Sequence, residues 1–293
     1  MEQYKNNILL YRNCGLAILI LLSSIVHAQT PFNIEGRAGI EFSSLEWAVA
    51  GNIEGNSPNV LSELRWTNLS AANYQILASF KAGKINYFFH SSLSPNITGQ
   101  VQDIDYAEDD RVSPIYNEVF SSTAGNKFRT EMGIKTQLKN ILQISTGIRY
   151  RNQRLFLNQE SGRIRSYYNS RWTGVFLGFD KEVRLHESIA MSLYLDADLS
   201  RYYGYGNWKL RNELLHPKSF VHQALSYGFN GVVTTNLQLN KRIGLHAILE
   251  GNYTDSFHGK DILYFQDGYS TSTQLNGVKS LVFSSSFGIS TTF

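Results

Sequence analysis

From residue 32 to Phe293, apolar side chains recur at every second position. The runs are far longer than the about five or six residues of an ordinary strand. Residues 225–239 show the pattern best. Leu225, Tyr227, Phe229, Val233, Leu237 and Leu239 share one parity, while Ser226, Asn230, Thr234, Asn236 and Gln238 share the other. Ile189, Met191, Leu193, Leu195 and Leu199 alternate likewise with Ser192, Asp196, Asp198 and Ser200. So do Leu142, Ile144 and Ile148 with Gln143, Ser145, Arg149 and Arg151. A strand crosses a bilayer in about 9–11 residues, so segments of this length span it and rise above it.

About ten such segments can be placed, near 34–49, 59–81, 84–97, 127–139, 141–157, 163–184, 187–206, 221–240, 242–257 and 277–293. Short turns fall near Gly83, Asn140, His186 and Lys241-Arg242. Longer polar stretches fall at 50–58, 98–126, 207–220 and 258–276. An even strand count with short turns at one end and long loops at the other predicts an all-β fold: a closed antiparallel ten-stranded transmembrane β-barrel with short periplasmic turns and long extracellular loops. The last segment fits, because Leu281, Phe283, Phe287, Ile289 and Phe293 alternate up to a terminal aromatic. Such an ending is similar to the signal read by outer-membrane assembly machinery, an expected partner through Phe293.

Composition narrows the class. At 42% hydrophobic and 17% charged the chain is not disordered, and its single cysteine, Cys14, excludes a disulfide scaffold and a Cys-based zinc site. A net charge of +3 is too mild to suggest nucleic acid binding. No run of 18 apolar residues exists, which excludes a polytopic helical membrane protein. Residues 1–28 read as an export signal: Lys5 and Arg12, an apolar stretch from Cys14 to Val26, then Val26-His27-Ala28 as a cleavage site. Cleavage there leaves residues 29–293 as the barrel and places it in a Gram-negative-type outer membrane. An uncleaved anchor is the alternative, opposed by the shortness of the apolar stretch.

The inward parity carries Glu35, Arg37, Glu41, Glu63, Arg65, Arg129, Glu131, Lys135, Arg149, Arg151, Asp196, Asp198, His246 and Glu250. Acids and bases are nearly balanced, so in a narrow lumen they should pair and largely close it. A wide diffusion pore is not expected on that ground.

Several motifs, in order along the chain, resemble the omptins, ten-stranded outer-membrane surface proteases. Ser62-Glu63-Leu64-Arg65-Trp66 looks like the family's Ser-x-Leu-x-Trp, preceded by a Glu-Gly pair as at Glu54-Gly55. Gly99-Gln100-Val101-Gln102-Asp103-Ile104-Asp105-Tyr106 looks like the segment bearing its Asp-x-Asp. Tyr150-Arg151-Asn152-Gln153-Arg154 resembles its Tyr-x-Glu-x-Arg, and Leu249-Glu250-Gly251-Asn252-Tyr253 a Glu-Gly stretch on the ninth strand. The layout is also similar to that of chlamydia-like outer-membrane barrels.

The resemblance implies an aspartic-type endopeptidase acting on cationic peptides, with Asp103 and Asp105 facing an Asp-His couple across a water. Two residues at spacing two on a strand share a face, so both carboxylates can point into the cleft. The same stretch, with Glu108, Asp109 and Asp110, also reads as an acidic hydrated loop. Aligned on Pro217-Lys218, Asn212 replaces the family's Asp and Leu214 its His. Glu213 and His216, or His222, are the substitutes at hand; a spacing of three puts Glu213 and His216 on opposite faces unless a bulge intervenes.

The acid that selects basic substrates falls near Glu54. A lipopolysaccharide site is implied at Tyr150, Asn152, Arg154 and Arg171, all of lipid-facing parity, where arginines near the rim meet phosphates; interfacial snorkelling is the alternative. No cofactor and no metal are expected. The rival function is a non-catalytic barrel: a narrow porin, an adhesin or a structural protein.

Overall fold

Backbone pairing among the described strands closes into a ring. The computed structural model describes residues 31–138, 142–158 and 165–293, with no α-helix among them. The strand segments are β1 (Phe32–Val49), β2 (Ser62–Ala82), β3 (Ile85–Tyr106), β4 (Pro114–Ser121), β5 (Asn126–Leu138), β6 (Leu142–Asn158), β7 (Arg165–Arg184), β8 (Ile189–Asn207), β9 (Phe220–Gln238), β10 (Ile243–Ser256), β11 (Gly259–Tyr264) and β12 (Ser270–Thr292). Each pairs antiparallel with its neighbours, and β1 closes the ring on β12 from Asn33↔Thr292 to Val49↔Leu275.

Twelve segments make ten strands. β4 and β5 lie on β3 in one register, Gln100↔Ser121 and Pro95↔Asn126, so they are one strand interrupted at 122–125. β10 and β11 likewise share one register on β12, Thr254↔Ser280 and Gly259↔Leu275. The stretches 98–126 and 258–276, expected as loops, are therefore largely strand. Above the bilayer the outer wall meets water, so the apolar alternation fades there although the hydrogen-bond ladder continues. The export signal at 1–28 lies outside the described residues.

The chain crosses the bilayer with strands; no helix among the described residues is long and apolar enough to do so. Ile76, Ile148, Leu177, Leu195, Phe229 and Phe283 stand exposed on the outer wall and form the apolar band that lipid covers. The opposite parity holds the charges, which the closed lumen buries.

One bulge changes what faces in. Between Ser43 and Leu45 of β1 the partner β2 runs from Leu69 to Trp66, three steps against two, and Asn68 takes up a left-handed φ of 53°. Asparagine tolerates that conformation better than most residues. Below the bulge Asn73 and Gln75 point inward; above it Trp66 and Leu64 do. Glu63 and Arg65, expected inside by continuous parity, consequently sit on the outer wall near the rim. There Glu63 accepts hydrogen bonds from Tyr106 Oη (2.6 Å) and Arg111 Nε (3.0 Å).

The lumen is closed twice. A layer of ion pairs crosses its middle. Arg149 donates from Nε to Glu131 (2.7 Å), from Nη1 and Nη2 to Asp196 (2.8 Å each) and from Nη1 to Asp198 (3.1 Å), with its Cζ 4.6 Å from the centre of the Phe176 ring. Arg151 grips Asp198 (3.0 Å) and reaches Thr254 (2.8 Å); Arg129 bonds Glu250 on the far wall; Lys127 pairs with Glu41 (2.6 Å). Above this layer lies an apolar plug built from Leu45, Trp47, Leu64, Trp66, Tyr168 and Phe220 together with their neighbours.

Arg149→Met leaves Glu131, Asp196 and Asp198 buried without their shared cation. It should cost about 3–5 kcal/mol of stability, read as a lowered denaturation midpoint of the detergent-folded barrel. Arg154→Met, on the outer wall, should stay within about 1 kcal/mol.

Candidate functional site: the extracellular mouth and the outer wall

Beyond Ile97, β3 rises above the apolar band and carries Asp103 and Asp105 on its inward face. Asp103 pairs in register with Leu64 on one side and Glu118 on the other, and Asp105 with Ser62 and Tyr116. The two aspartates thus share the cleft face with Glu118 and Tyr116. The spacing-two expectation of a common face agrees with this geometry; Glu118 and Tyr116 were missed because their segment read as loop.

Asp103 is buried, and its carboxyl is pushed up to about 8. Burial is the largest cause, the like charges of Asp105 and Glu118 add to it, and the Arg211 guanidinium opposes them. Burial and the same carboxylates raise the Tyr116 hydroxyl well above its ordinary value. The mouth is a carboxylate cluster with one native arginine beside it.

The opposite wall is the 208–219 segment. Arg211 Nε donates to Glu213 Oε1 (2.6 Å), and both side chains are exposed. The Glu213 carboxyl is held below its ordinary value by its own backbone amide, then by Arg211. Leu214, standing where the family resemblance expects an imidazole, is 2% exposed, belongs to the apolar plug and bridges to Phe265. His216 is engaged with Asn207 Oδ1 (2.8 Å) and Ser219 Oγ (3.4 Å). The structure therefore turns Glu213 to solvent and His216 to the strand ends.

His222 lies within the plug. Its Nδ1 is 2.8 Å from Tyr168 Oη, its Nε2 is 3.2 Å from Asp261 Oδ1, and it is 1% exposed. Among the described residues no hydrogen bond or ion pair joins a histidine to Asp103 or Asp105. Glu54 lies exposed in the 50–61 loop, its backbone N–H donating to Asn52 Oδ1 (3.1 Å). No cluster of acids, histidines or cysteines able to hold a metal occurs among the described residues.

On the outer wall β6, β7 and β8 bring the lipid-facing candidates together. Asn152 pairs with Arg171 in register, Arg154 with Asn169, and Arg171 with Tyr203. Asn152 Nδ2 donates to Asn169 Oδ1 (3.0 Å). Arg154 Cζ stands 5.1 Å from the centre of the Tyr167 ring, and Arg171 Cζ 6.0 Å from that of Tyr150. Lys218 Nζ donates to Tyr203 Oη (2.9 Å) and lies over the Tyr203 and Tyr205 rings. Three cations thus rest on tyrosine faces just above the apolar band. Lys218 had a sequence signal, the Pro217-Lys218 pair, but its meeting with β8 comes only from the fold of the 208–219 segment.

Residues 132–293, more than half of the chain, match the profile of a family described as Protochlamydia outer membrane protein. No curated protein sequence matches. Among solved structures the chain is similar to the outer membrane protease OmpT from Escherichia coli, with a TM-score of 0.65 at 12% identity, covering 91% of this chain and 98% of that one. Weaker likenesses include the translocator domain of the autotransporter NalP from Neisseria meningitidis (TM-score 0.40, 10% identity, 96% and 95% covered) and Neisserial surface protein A (0.33, 11%, 89% and 97%). At these identities the likeness to OmpT concerns the fold.

The raised carboxyl has a sign that can be checked. Free Asp titrates near about 4, so between about pH 4 and 8 the folded protein binds the extra proton. Stability supplied by protonated Asp103 is complete below about pH 4, falls as pH rises through that window and is flat above it. Asp103→Asn removes the fall, so its melting temperature should gain on the unsubstituted protein from pH 4 to 8.

Proposed function

This chain belongs to the Protochlamydia outer membrane protein family, and from that premise we propose that it is a closed, non-catalytic surface barrel. It holds lipid phosphates on its outer wall and offers an acidic mouth to cationic ligands. The family match and the closed ring of strands carry the outer-membrane β-barrel architecture. The observation that carries the non-catalytic part is Leu214. Where a proton-accepting imidazole would be needed, a leucine is packed into the plug. His216 and His222 are engaged elsewhere. A water between the aspartates and that wall has no imidazole to take its proton.

The mouth can still bind. Asp105 and Glu118 beside Asp103 make a carboxylate face, and Arg211 already places a guanidinium there. A cationic peptide side chain is the matching ligand, drawn in by the local field. On the outer wall Arg154, Arg171 and Lys218 form a phosphate-binding surface for lipopolysaccharide or another phosphorylated lipid, with Tyr150 and Asn152 beside them. Phe293, exposed at the periplasmic end of β12, is suited to engage assembly machinery.

A second reading keeps the surface endopeptidase. It is favoured by the proton held on Asp103 next to Asp105, since a carboxyl and a carboxylate side by side can serve as acid and base.

A fluorogenic peptide with an Arg-Arg bond separates the two. The non-catalytic barrel leaves it uncut while binding it, with affinity lowered in Asp105→Asn. Turnover that disappears in the Asp103→Asn, Asp105→Asn double variant would establish the peptidase instead. On the outer wall, Arg154→Ala with Arg171→Ala should weaken lipopolysaccharide binding about tenfold, measured by titration of the detergent-folded protein; unchanged binding would remove the lipid-phosphate part.

A further inference from the structure

The lower lumen holds a cavity of about 580 Å³ that lies away from both the mouth and the lipid-facing wall. Its rim is made by Glu187 and Ser188 in the β7–β8 turn and by Asn33, Gln238 and Thr292 at strand ends. All belong to the short-turn end, so the cavity opens to the periplasm. Its roof is the ion-pair layer, at His90, Arg129, Glu131 and Glu250. With that layer and the plug above it, the cavity is a blind pocket rather than half of a channel. Its volume falls within the about 300–1,000 Å³ of small-ligand sites.

The walls carry both signs of charge in a set order. On β1, Arg37 Nε donates to Glu35 (2.6 Å); on β5 and β7, Lys135 Nζ donates to Asp180 (2.9 Å). β1 and β7 are five places apart in the ring of ten strands, so the two pairs face each other across the lumen. Between them β8, β9 and β12 present Ser192, Thr234, Asn236 and Ser290 to the space, the last two bridged by His246 of β10 at 2.6 and 2.8 Å. Nearer the rim Glu182, Arg184 and Glu187 line the cavity, exposed and without an ion-pair partner among the described residues.

We propose that this pocket binds a short zwitterionic peptide from the periplasm. Its ammonium would lie against the carboxylate of one wall, its carboxylate against the cation of the other, and its amides against the hydroxyl and amide side chains between. An apolar molecule would strip water from the charged groups of the lining without replacing it. A polyanion would meet six acids against four bases in the lining. A neutral polyol would use the hydroxyl arc and leave the charged walls unanswered. A peptide with both ends free meets a carboxylate, a cation and hydroxyl side chains in the one pocket. The inference stands apart from the reading of the mouth, because the plug and the ion-pair layer separate the two.

The test is calorimetric titration of the full detergent-folded chain at neutral pH with three probes: tri-alanine, tri-alanine acetylated at its N-terminus and amidated at its C-terminus, and maltotriose. Tri-alanine should bind saturably, and the capped peptide about tenfold more weakly or worse, because both charge-assisted contacts are lost. Ser192→Trp, which projects a ring into the space, should abolish tri-alanine binding while leaving the melting temperature and β-sheet dichroism unchanged. If that variant fails to fold, Ala190→Trp, one inward position nearer the rim, blocks the same entrance. Equal binding of capped and uncapped peptide overturns the proposal. So do maltotriose binding more tightly than tri-alanine, no binding by tri-alanine, or tri-alanine binding that survives a folded tryptophan variant.

Discussion

Arg149 is the side chain on which the lumen depends. From β6 it satisfies Glu131 on β5 and both Asp196 and Asp198 on β8, while Phe176 covers its face. Four ionic groups are thereby taken out of water together, a situation tolerable only where every charge is met at hydrogen-bond distance. Arg151 extends the same logic to Asp198 and β10, and Arg129 to Glu250. A ring of strands would otherwise enclose a column of water. These contacts turn it into two compartments that do not communicate: a mouth facing outward and a pocket facing the periplasm.

The division of chemistry along the barrel follows. At bilayer height the outside must be apolar and the inside holds the charges. Above it, the bulge at Asn68 exchanges the faces of β2, so that Leu64 and Trp66 enter the lumen and meet Tyr168 and Phe220. The plug so formed captures Leu214 and His222, the residues nearest to the expected catalytic half, and leaves Asp103 and Asp105 at its upper edge. The barrel plan is similar to that of OmpT, and the mouth is lined by carboxylates with one arginine beside them.

Period-two alternation made the barrel legible in the sequence, down to the ten strands and the charges that seal the lumen. Asp103 and Asp105 could be placed on one face by spacing alone. Glu63 and Arg65 could not be placed, because a single extra residue reverses every side chain beyond it and leaves no mark in the hydropathy pattern. The upper parts of β3 and β12, and all of β4 and β11, were illegible for a different reason: where both faces of a strand meet polar surroundings, alternation no longer reports the ladder. Arg211 beside Asp103 and Lys218 on Tyr203 depend on how the 208–219 segment folds back, a non-local property that no spacing encodes.

The central claim is that the lumen is sealed between its extracellular mouth and its periplasmic pocket, so that nothing passes through the barrel. Planar-bilayer recording on the purified barrel tests it most directly. A sealed lumen predicts an unchanged baseline conductance after insertion, and the same in Arg149→Ala, where the apolar plug still closes the barrel above the ion-pair layer. Steady ohmic conductance from the unsubstituted protein would contradict the ion-pair layer and the plug together.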